Sequence, residues 1–356
     1  MWLAVASAAA TVPPRPARAA EPAVDPPTRP ATLPVQPATR PVPLGPGNAR
    51  RALTVDGRAR SYLVHVPPAY DPAKPTSVVL AFHGALMNAA AMSAFSGLST
   101  KADSAGFVVV YPNGTGLGEA ALFFNASAAP TYPATRSATA DAATSGSATT
   151  APVAGPVAGI PAQPPDDVAF TAAVLDDLAT VVNVDAKRVF ATGMSNGGMM
   201  CHRLAAELSD RIAAVAPIGG TLALPAVHPR RAVPVLHFHG TADRIVPFDG
   251  PRGRTPATMQ FRSVADTVAA WVAADGCRPA GVTTALPNAA PDDGTTVRQT
   301  VYSGGPDGVE VVLVTVENGG HTWPGQPPPV PWLGLSTKDV AANDLMWAFF
   351  ERHPMR

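Results

Sequence analysis

Residues 189–208, VFATGMSNGGMMCHRLAAEL, indicate the architecture of the chain more clearly than any other stretch. Val189 to Thr192 is apolar and β-rich, which predicts a strand, and Asn196 to Leu208 has the apolar spacing of a helix. Between them, Gly193 to Gly197 matches the G-x-S-x-G pattern, in which a serine occupies a sharp turn from strand to helix. Glycines two residues before and after the serine keep bulky side chains out of that turn. The stretch therefore predicts Ser195 as a nucleophile.

Short β-rich runs alternate with amphipathic stretches along most of the chain. This alternation is typical of a largely parallel sheet covered by helices, which places the protein in the α/β class. The predicted strands are 60–66, 77–83, 107–111, 189–192, 212–217, 233–239 and 309–316, and the predicted helices are 166–182, 196–208, 258–274 and 338–351.

A serine nucleophile needs a histidine to take its proton and a carboxylate to orient that histidine. Asp243 follows the predicted strand 233–239, and His321 follows the predicted strand 309–316. Because the carboxyl ends of parallel strands meet at one edge of a sheet, we expect Ser195, Asp243 and His321 to lie close together. Asp249 is the rival for the acid.

The same edge offers N–H groups for the negative charge that develops on a carbonyl oxygen during acyl transfer. One is the backbone N–H of Asn196, the residue after the nucleophile. The other comes from the turn after strand 77–83, where Gly84 allows the N–H of Ala85, or alternatively that of Leu86, to point at the oxyanion. The alternative for this turn is an ordinary strand end.

The composition excludes several classes of function. The 26 basic and 26 acidic side chains cancel to a net charge of +0, so no overall field attracts the chain to nucleic acid or to an anionic membrane. No window reaches the roughly 18 to 20 apolar residues that cross a bilayer, so we expect no membrane insertion.

Biased segments divide the chain. Residues 1–20 end at an Ala-x-Ala site after an apolar run and predict a secretory signal peptide. Residues 21–47 are rich in proline and predict a disordered linker. In residues 126–165, 33 of 40 are Ala, Ser, Thr, Pro or Gly, which predicts a low-complexity insertion in a surface loop. Residues 48–356 otherwise form the predicted catalytic domain.

The cysteines and histidines do not indicate a metal centre. Cys201 and Cys277 are the two cysteines of the chain and form either one disulfide bridge or none. His237 and His239 share a face of one predicted strand and could hold a metal, but no third ligand has suitable spacing. A structural role for this pair is favoured, and no metal is predicted.

Four motifs in order resemble the polyhydroxybutyrate depolymerase-like (LpqC-type) esterases, which are related to the feruloyl and acetyl xylan esterases of carbohydrate esterase family 1. They are FHGALMNAAAM (82–92), GMSNGGMM (193–200), HGTADRIVPF (239–248) and GGHTWPG (319–325). The resemblance implies an α/β-hydrolase fold, with Ser195 as nucleophile, Asp243 as acid and His321 as base. It also implies ester hydrolysis outside the cytoplasm without a cofactor.

The chain departs from that family at three places. Ala85 stands where many relatives carry a cysteine, although a backbone N–H survives the change. The insertion 126–165 replaces a short loop with a cysteine pair, which puts substrate contacts of that loop in doubt. No cysteine follows the predicted signal peptide at a lipobox position, so no lipid anchor is expected.

The substrate is predicted to be a carboxylic ester in an open cleft. Only a short segment separates Pro217 from Val233, where many lipases insert a helical cap, so we expect no large cap domain and access for polymeric esters. Trp323 either stacks on the substrate or anchors its own loop. The acyl group is open between 3-hydroxybutyryl, feruloyl and acetyl, and the alternatives to an esterase are a serine peptidase on the same fold and a non-catalytic wall- or glycan-binding module.

Overall fold

The computed structural model describes residues 42–127, 164–251 and 260–356. The predicted signal peptide, most of the predicted linker and most of the insertion lie outside these residues. Of the predicted insertion 126–165, the structure describes residues 126, 127, 164 and 165, and among these Ala126, Ser127 and Pro165 are buried.

A ten-stranded sheet organises the described chain, in the order β1-β2-β4-β3-β7-β8-β9-β12-β11-β10. The six neighbours from β4 to β12 are parallel, and the strands on both flanks are antiparallel. The strands are β1 (Gly47–Val55), β2 (Arg58–Val66), β3 (Thr76–Phe82), β4 (Val108–Pro112), β7 (Val184–Met194), β8 (Ala214–Ile218), β9 (Val235–Gly240), β10 (Val282–Ala285), β11 (Thr296–Tyr302) and β12 (Val311–Glu317). A separate hairpin pairs β5 (Thr115–Leu117) with β6 (Ala121–Phe123).

The central strands are apolar along their whole length because helices cover both faces of the sheet. Along β3, Val78, Leu80 and Phe82 point to one core, whereas Val79 and Ala81 point to the other. The first core contains residues of α3 (Asp167–Ala179), α4 (Asn196–Glu207) and α5 (Val264–Ala274). The second contains residues of α1 (Ala89–Ser96), α2 (Leu98–Ala105) and α6 (Ala342–Arg352). The predicted α/β class with a mostly parallel sheet is confirmed.

The structure adds elements that the sequence patterns did not indicate, mainly at the flanks of the sheet. Strands β1, β10 and β11 and helices α1 and α2 were not predicted. Helix α5 begins at Val264 rather than Thr258, because the Ser263 side chain accepts a hydrogen bond from the N–H of Asp266 and so caps the helix. No helix among the described residues is long and apolar enough to cross a membrane.

The two cysteines are free thiols, so of the two alternatives that the sequence left open the structure has no bridge between Cys201 and Cys277. Cys201 is enclosed in the first core on α4, and burial raises the pKa of its thiol well above the usual value. Cys277 follows α5, and its Sγ lies 3.6 Å from the Val309 carbonyl oxygen. The two sulfur atoms thus have separate surroundings and do not bond to each other.

Candidate active site

Four parallel strands bring the predicted catalytic residues to one edge of the sheet. Ser195 directly follows β7, Asp243 follows β9 by three residues, and His321 follows β12 by four. Strand β8 lies between β7 and β9, and β12 is the next neighbour of β9. The carboxyl ends of these strands therefore gather the three side chains, as expected for an open α/β sheet.

Ser195 occupies a strained turn between β7 and α4. Its backbone has φ 57° and ψ −119°, in the region that favours glycine, and its N–H donates to the Ile218 carbonyl at 2.9 Å. A Cβ on Gly193 would lie 2.6 Å from the Gly197 carbonyl carbon, and a Cβ on Gly197 would lie 2.7 Å from the His83 carbonyl oxygen. Both glycines are thus required by close backbone contacts, as the motif predicted.

Asp243 and His321 form a buried pair. The Nδ1 of His321 lies 2.7 Å from Oδ2 of Asp243, and the two residues are 6% and 5% exposed. The other carboxylate oxygen, Oδ1, accepts the N–H groups of Ile245 at 2.8 Å and Val246 at 2.9 Å. Because a carboxylate only accepts, Nδ1 of His321 carries the proton and Nε2 is free to act as a base. The structure places Asp243, not its exposed rival Asp249, against the histidine.

Ser195 and His321 approach each other across Gly219, which follows Ile218 at the end of β8. A Cβ placed on Gly219 would lie 3.3 Å from His321 Nδ1, and the preceding carbonyl already holds the Ser195 N–H. Among the described residues, no hydrogen bond joins the Ser195 hydroxyl to His321. Such contacts are often long in free enzymes and tighten when substrate binds.

The turn after β3 lies against the nucleophile, since a Cβ on Gly84 would lie 3.6 Å from the Ser195 Cβ. The Leu86 N–H donates to the Leu122 carbonyl at 3.0 Å, which removes Leu86 as an alternative oxyanion donor. The N–H groups of Ala85 and Asn196 have no acceptor within the described residues. The Asn196 side chain is held against the backbone of Phe124. Its Oδ1 accepts the Phe124 N–H at 2.7 Å, and its Nδ2 donates to the Phe124 carbonyl at 3.0 Å.

His83 holds the peptide between Gly84 and Ala85. Its Nε2 accepts the Gly114 N–H at 3.0 Å, so its Nδ1 carries the proton and donates to the Gly84 carbonyl at 2.8 Å. Burial lowers the pKa of His83 to about 4, which keeps this imidazole neutral. In a trans peptide the N–H points away from the C=O. Because the Gly84 carbonyl points at His83, the Ala85 N–H of the same peptide points away from His83.

Trp323 is not a substrate platform, which corrects that alternative of the prediction. It is 0% exposed, its Nε1 donates to Asn343 Oδ1 at 2.9 Å, and its ring meets Phe95 edge-on. It anchors the loop that carries His321. The exposed tryptophan near the site is Trp332, 67% exposed, whose neighbour Leu333 accepts the His321 N–H at 2.7 Å. The sequence signal nearest to it, the proline-rich run 327–331, is typical of a surface loop and does not indicate a contact with the site.

Histidines behind the site have structural contacts rather than a metal-binding arrangement. His237 Nε2 lies 3.1 Å from His239 Nδ1 on β9. The described part of the chain contains no group of three His, Cys, Asp or Glu side chains placed to hold a metal ion.

Several known proteins that are similar to this chain are esterases. The profile of the phospholipase/carboxylesterase family matches residues 169–255. The protein named "Putative esterase NocK" from Nocardia uniformis subsp. tsuyamanensis is 36% identical over 290 residues, which are 77% of this chain and 74% of that protein. Feruloyl esterase C from Emericella nidulans is 25% identical over 315 residues, 86% of this chain and 90% of its own. Among solved structures, an acetyl xylan esterase from Aspergillus awamori has a TM-score of 0.49 and 14% identity, covering 85% of this chain and 99% of that structure.

Proposed function

Because the chain belongs to the α/β-hydrolase family of esterases, we propose that it hydrolyses carboxylic esters through Ser195, His321 and Asp243. The observation that carries the proposal is the 2.7 Å contact between His321 Nδ1 and Asp243 Oδ2 at the sheet edge that also holds the strained Ser195. This contact fixes the imidazole in the tautomer that a serine nucleophile needs.

The reaction proceeds in two halves. His321 Nε2 takes the Ser195 proton as Oγ attacks the ester carbonyl, and the tetrahedral intermediate collapses when His321 returns that proton to the departing alcohol. Water then attacks the acyl-serine, giving one proton to His321, and the acid leaves as Ser195 recovers its proton. Asp243 stays ionised throughout and stabilises the imidazolium.

The N–H groups of Ala85 and Asn196 stabilise the oxyanion in both halves. Each donor contributes on the order of 3 kcal/mol to the transition state when it is fixed in advance. Here the fixing groups are His83, which holds the Gly84 carbonyl, and the first turn of α4, which places the Asn196 N–H beside the nucleophile.

The ester is one that hangs from a polymer or a polysaccharide, with polyhydroxyalkanoate, feruloyl and acetyl esters as the candidates. Support comes from the short segment between Ile218 and Val235, which forms neither helix nor strand and so contributes no helical cap. Further support comes from apolar side chains exposed on the loops of this edge: Leu86, Ile245, Trp332 and Leu335. The pattern of residues 1–20 supports export, and no cofactor is needed for this chemistry.

A panel of p-nitrophenyl acetate and butyrate, methyl ferulate, acetylated xylan and a polyhydroxybutyrate film tests the proposal. We expect Ser195→Ala to lower kcat by about 10⁶-fold on every ester that the natural protein cleaves, since the nucleophile is removed. Circular dichroism should show that the variant is folded. Undiminished hydrolysis by Ser195→Ala would overturn the assignment, and turnover of amide substrates alone would favour a peptidase.

A further inference from the structure

Three buried histidines lie behind the acid of the proposed triad, and the mechanism above uses none of them. His237 and His239 are on β9 and His202 is on α4, and each is at most 2% exposed. We propose that His239, in a tautomer fixed by the Val246 carbonyl, is a positioning residue that holds the turn carrying Asp243. The inference rests on the proposed function, because it concerns the acid of that mechanism.

His239 contacts both ends of the turn from Asp243 to Val246, which we call the acid turn. Its Nε2 lies 2.8 Å from the Val246 carbonyl oxygen and 3.5 Å from Asp243 Oδ2. The Val246 N–H in turn donates to Asp243 Oδ1 at 2.9 Å. The imidazole thus fixes Val246, and Val246 fixes the carboxylate whose other oxygen meets His321. Movement of this turn would change the contact on which the orientation of His321 depends.

The contacts determine which nitrogen of each ring carries a proton. A carbonyl oxygen only accepts, so the proton of His239 is on Nε2 and its Nδ1 accepts. The neighbour at 3.1 Å, His237 Nε2, must then be the donor. The Val246 carbonyl thus fixes the tautomer of His239, and the N–H of His237 satisfies the remaining nitrogen of that ring.

The row of histidines is neutral, and this matters for Asp243. Burial lowers the pKa of His237 well below its usual value and also lowers the pKa of His239, although Asp243 opposes the shift at His239. His202 accepts the Trp271 Nε1–H at 2.9 Å, and burial lowers its pKa to about 3. A charged His239 would compete with His321 as the cation beside Asp243. A neutral N–H donor positions the carboxylate without compensating its charge.

Packing alone does not explain these three side chains. His237 Nδ1 is buried without a hydrogen-bond partner among the described residues. A buried polar atom in that situation is destabilising, so an apolar side chain of similar size would pack there at lower free energy. The hydrogen bond from His239 to the Val246 carbonyl is what an apolar side chain could not provide.

The test compares three variants at 25 °C on the best ester substrate. His239→Phe keeps a ring but removes the donor, and we expect it to lower kcat by up to about 100-fold with little change in KM, because a misplaced catalytic group slows chemistry rather than binding. His239→Gln returns an amide N–H near the Nε2 position and should restore most of that loss. His202→Phe is the matched control, because it removes a ring of the same row that does not contact the acid turn.

A second readout separates positioning from stability. In proton NMR, the strongly downfield signal of the His321 Nδ1–H bonded to Asp243 should move upfield in His239→Phe and stay in place in His202→Phe. Equal losses of kcat in both Phe variants, or an unmoved signal in His239→Phe, would overturn the proposal. If His239→Phe does not fold, His239→Asn replaces it, because the shorter amide cannot reach Val246. Equal kcat for Asn and Gln would then contradict the proposal. Ser195→Ala is assayed alongside, so activity that does not need Ser195 would identify a failure of the proposed function instead.

Discussion

Strand β9 has a buried aspartate at each end, and the two differ in their partners. Asp243, beyond the carboxyl end, is 5% exposed and accepts hydrogen bonds from Ile245, Val246 and His321. Asp275, beside the amino end, is 1% exposed and accepts one, from the Val233 N–H to Oδ1. Its Oδ2 has no partner within the part of the chain that the structure describes.

The partners determine what each carboxyl group can do. At Asp275, burial raises the pKa to about 7, against the smaller opposing effects of the Val233 N–H and Arg231. At Asp243, N–H donors contact both oxygens and hold the carboxylate against His321, where it can orient the imidazole. Burial alone therefore does not prepare an aspartate for catalysis, and the hydrogen-bond donors arranged around it do.

Of the substitutions at these two aspartates, Asp243→Asn should have the larger effect on kcat. An amide at this position would present an N–H to His321 Nδ1, so His321 would keep its proton on Nε2 and could not accept one from Ser195. We expect kcat to fall by about 10⁴-fold. Steady-state kinetics on p-nitrophenyl acetate would measure it.

Asp275→Asn is the matched control for that experiment, since it makes the same chemical change at the other end of the strand. Its kcat should equal that of the natural protein. A loss of less than tenfold in Asp243→Asn, or comparable losses in both variants, would contradict the role given to Asp243.

Asp275→Asn should instead change the free energy of unfolding, because the carboxyl group that it replaces is buried with few hydrogen-bond donors. The pKa of Asp275 in the folded chain, about 7, lies above the ordinary value of 3.8, so the folded state holds this proton more tightly than the unfolded state. This group's contribution to stability is therefore fully present below about pH 4 and is lost as the pH rises towards 7. Asparagine carries no charge, so the variant should gain stability relative to the natural protein over this range, by a few kcal/mol.

Urea unfolding of both proteins at pH 5 and pH 8 measures the effect. The difference in the free energy of unfolding between variant and natural protein should be larger at pH 8. A difference that does not change with pH would mean that Asp275 is ionised in the folded protein across this range.

The parts of the site that sequence could predict depend on local backbone geometry. Gly193, Ser195 and Gly197 lie within five residues, and their spacing follows from the close backbone contacts of the turn, which leave no room for a Cβ at either glycine. The positions of Asp243 and His321 followed from a topological rule, that parallel strands end at the same edge. The same reasoning supplied the central strands, whose apolar runs reflect burial on both faces.

The remaining features depend on contacts between distant residues. Sequence could not show that Trp271 would meet His202, or that His239 would contact His237 and the Val246 carbonyl. It could not distinguish a buried Trp323 from an exposed Trp332, because both follow His321 in a loop whose path is fixed by hydrogen bonds. The edge strands β1 and β10 were missed because their residues are exposed or only partly buried and so show no continuous apolar run.

The two ends of the sheet also differ in exposed apolar surface, and Trp332 tests that difference with the smallest expected effect. Four of the six exposed large apolar side chains in the described chain, Leu86, Ile245, Trp332 and Leu335, lie on loops beside Ser195, Asp243 or His321.

If Trp332 contacts the acyl group, Trp332→Ala should raise KM for methyl ferulate by about tenfold, because loss of an aromatic contact costs about 1.4 kcal/mol. The midpoint of thermal unfolding should not change, since the side chain is exposed. Val282→Ala, at an equally exposed site on the edge strand β10, should leave both quantities unchanged. An unaltered KM in Trp332→Ala for both methyl ferulate and p-nitrophenyl butyrate would show that this surface does not bind the acyl group, and the exposed apolar side chains would then need another explanation.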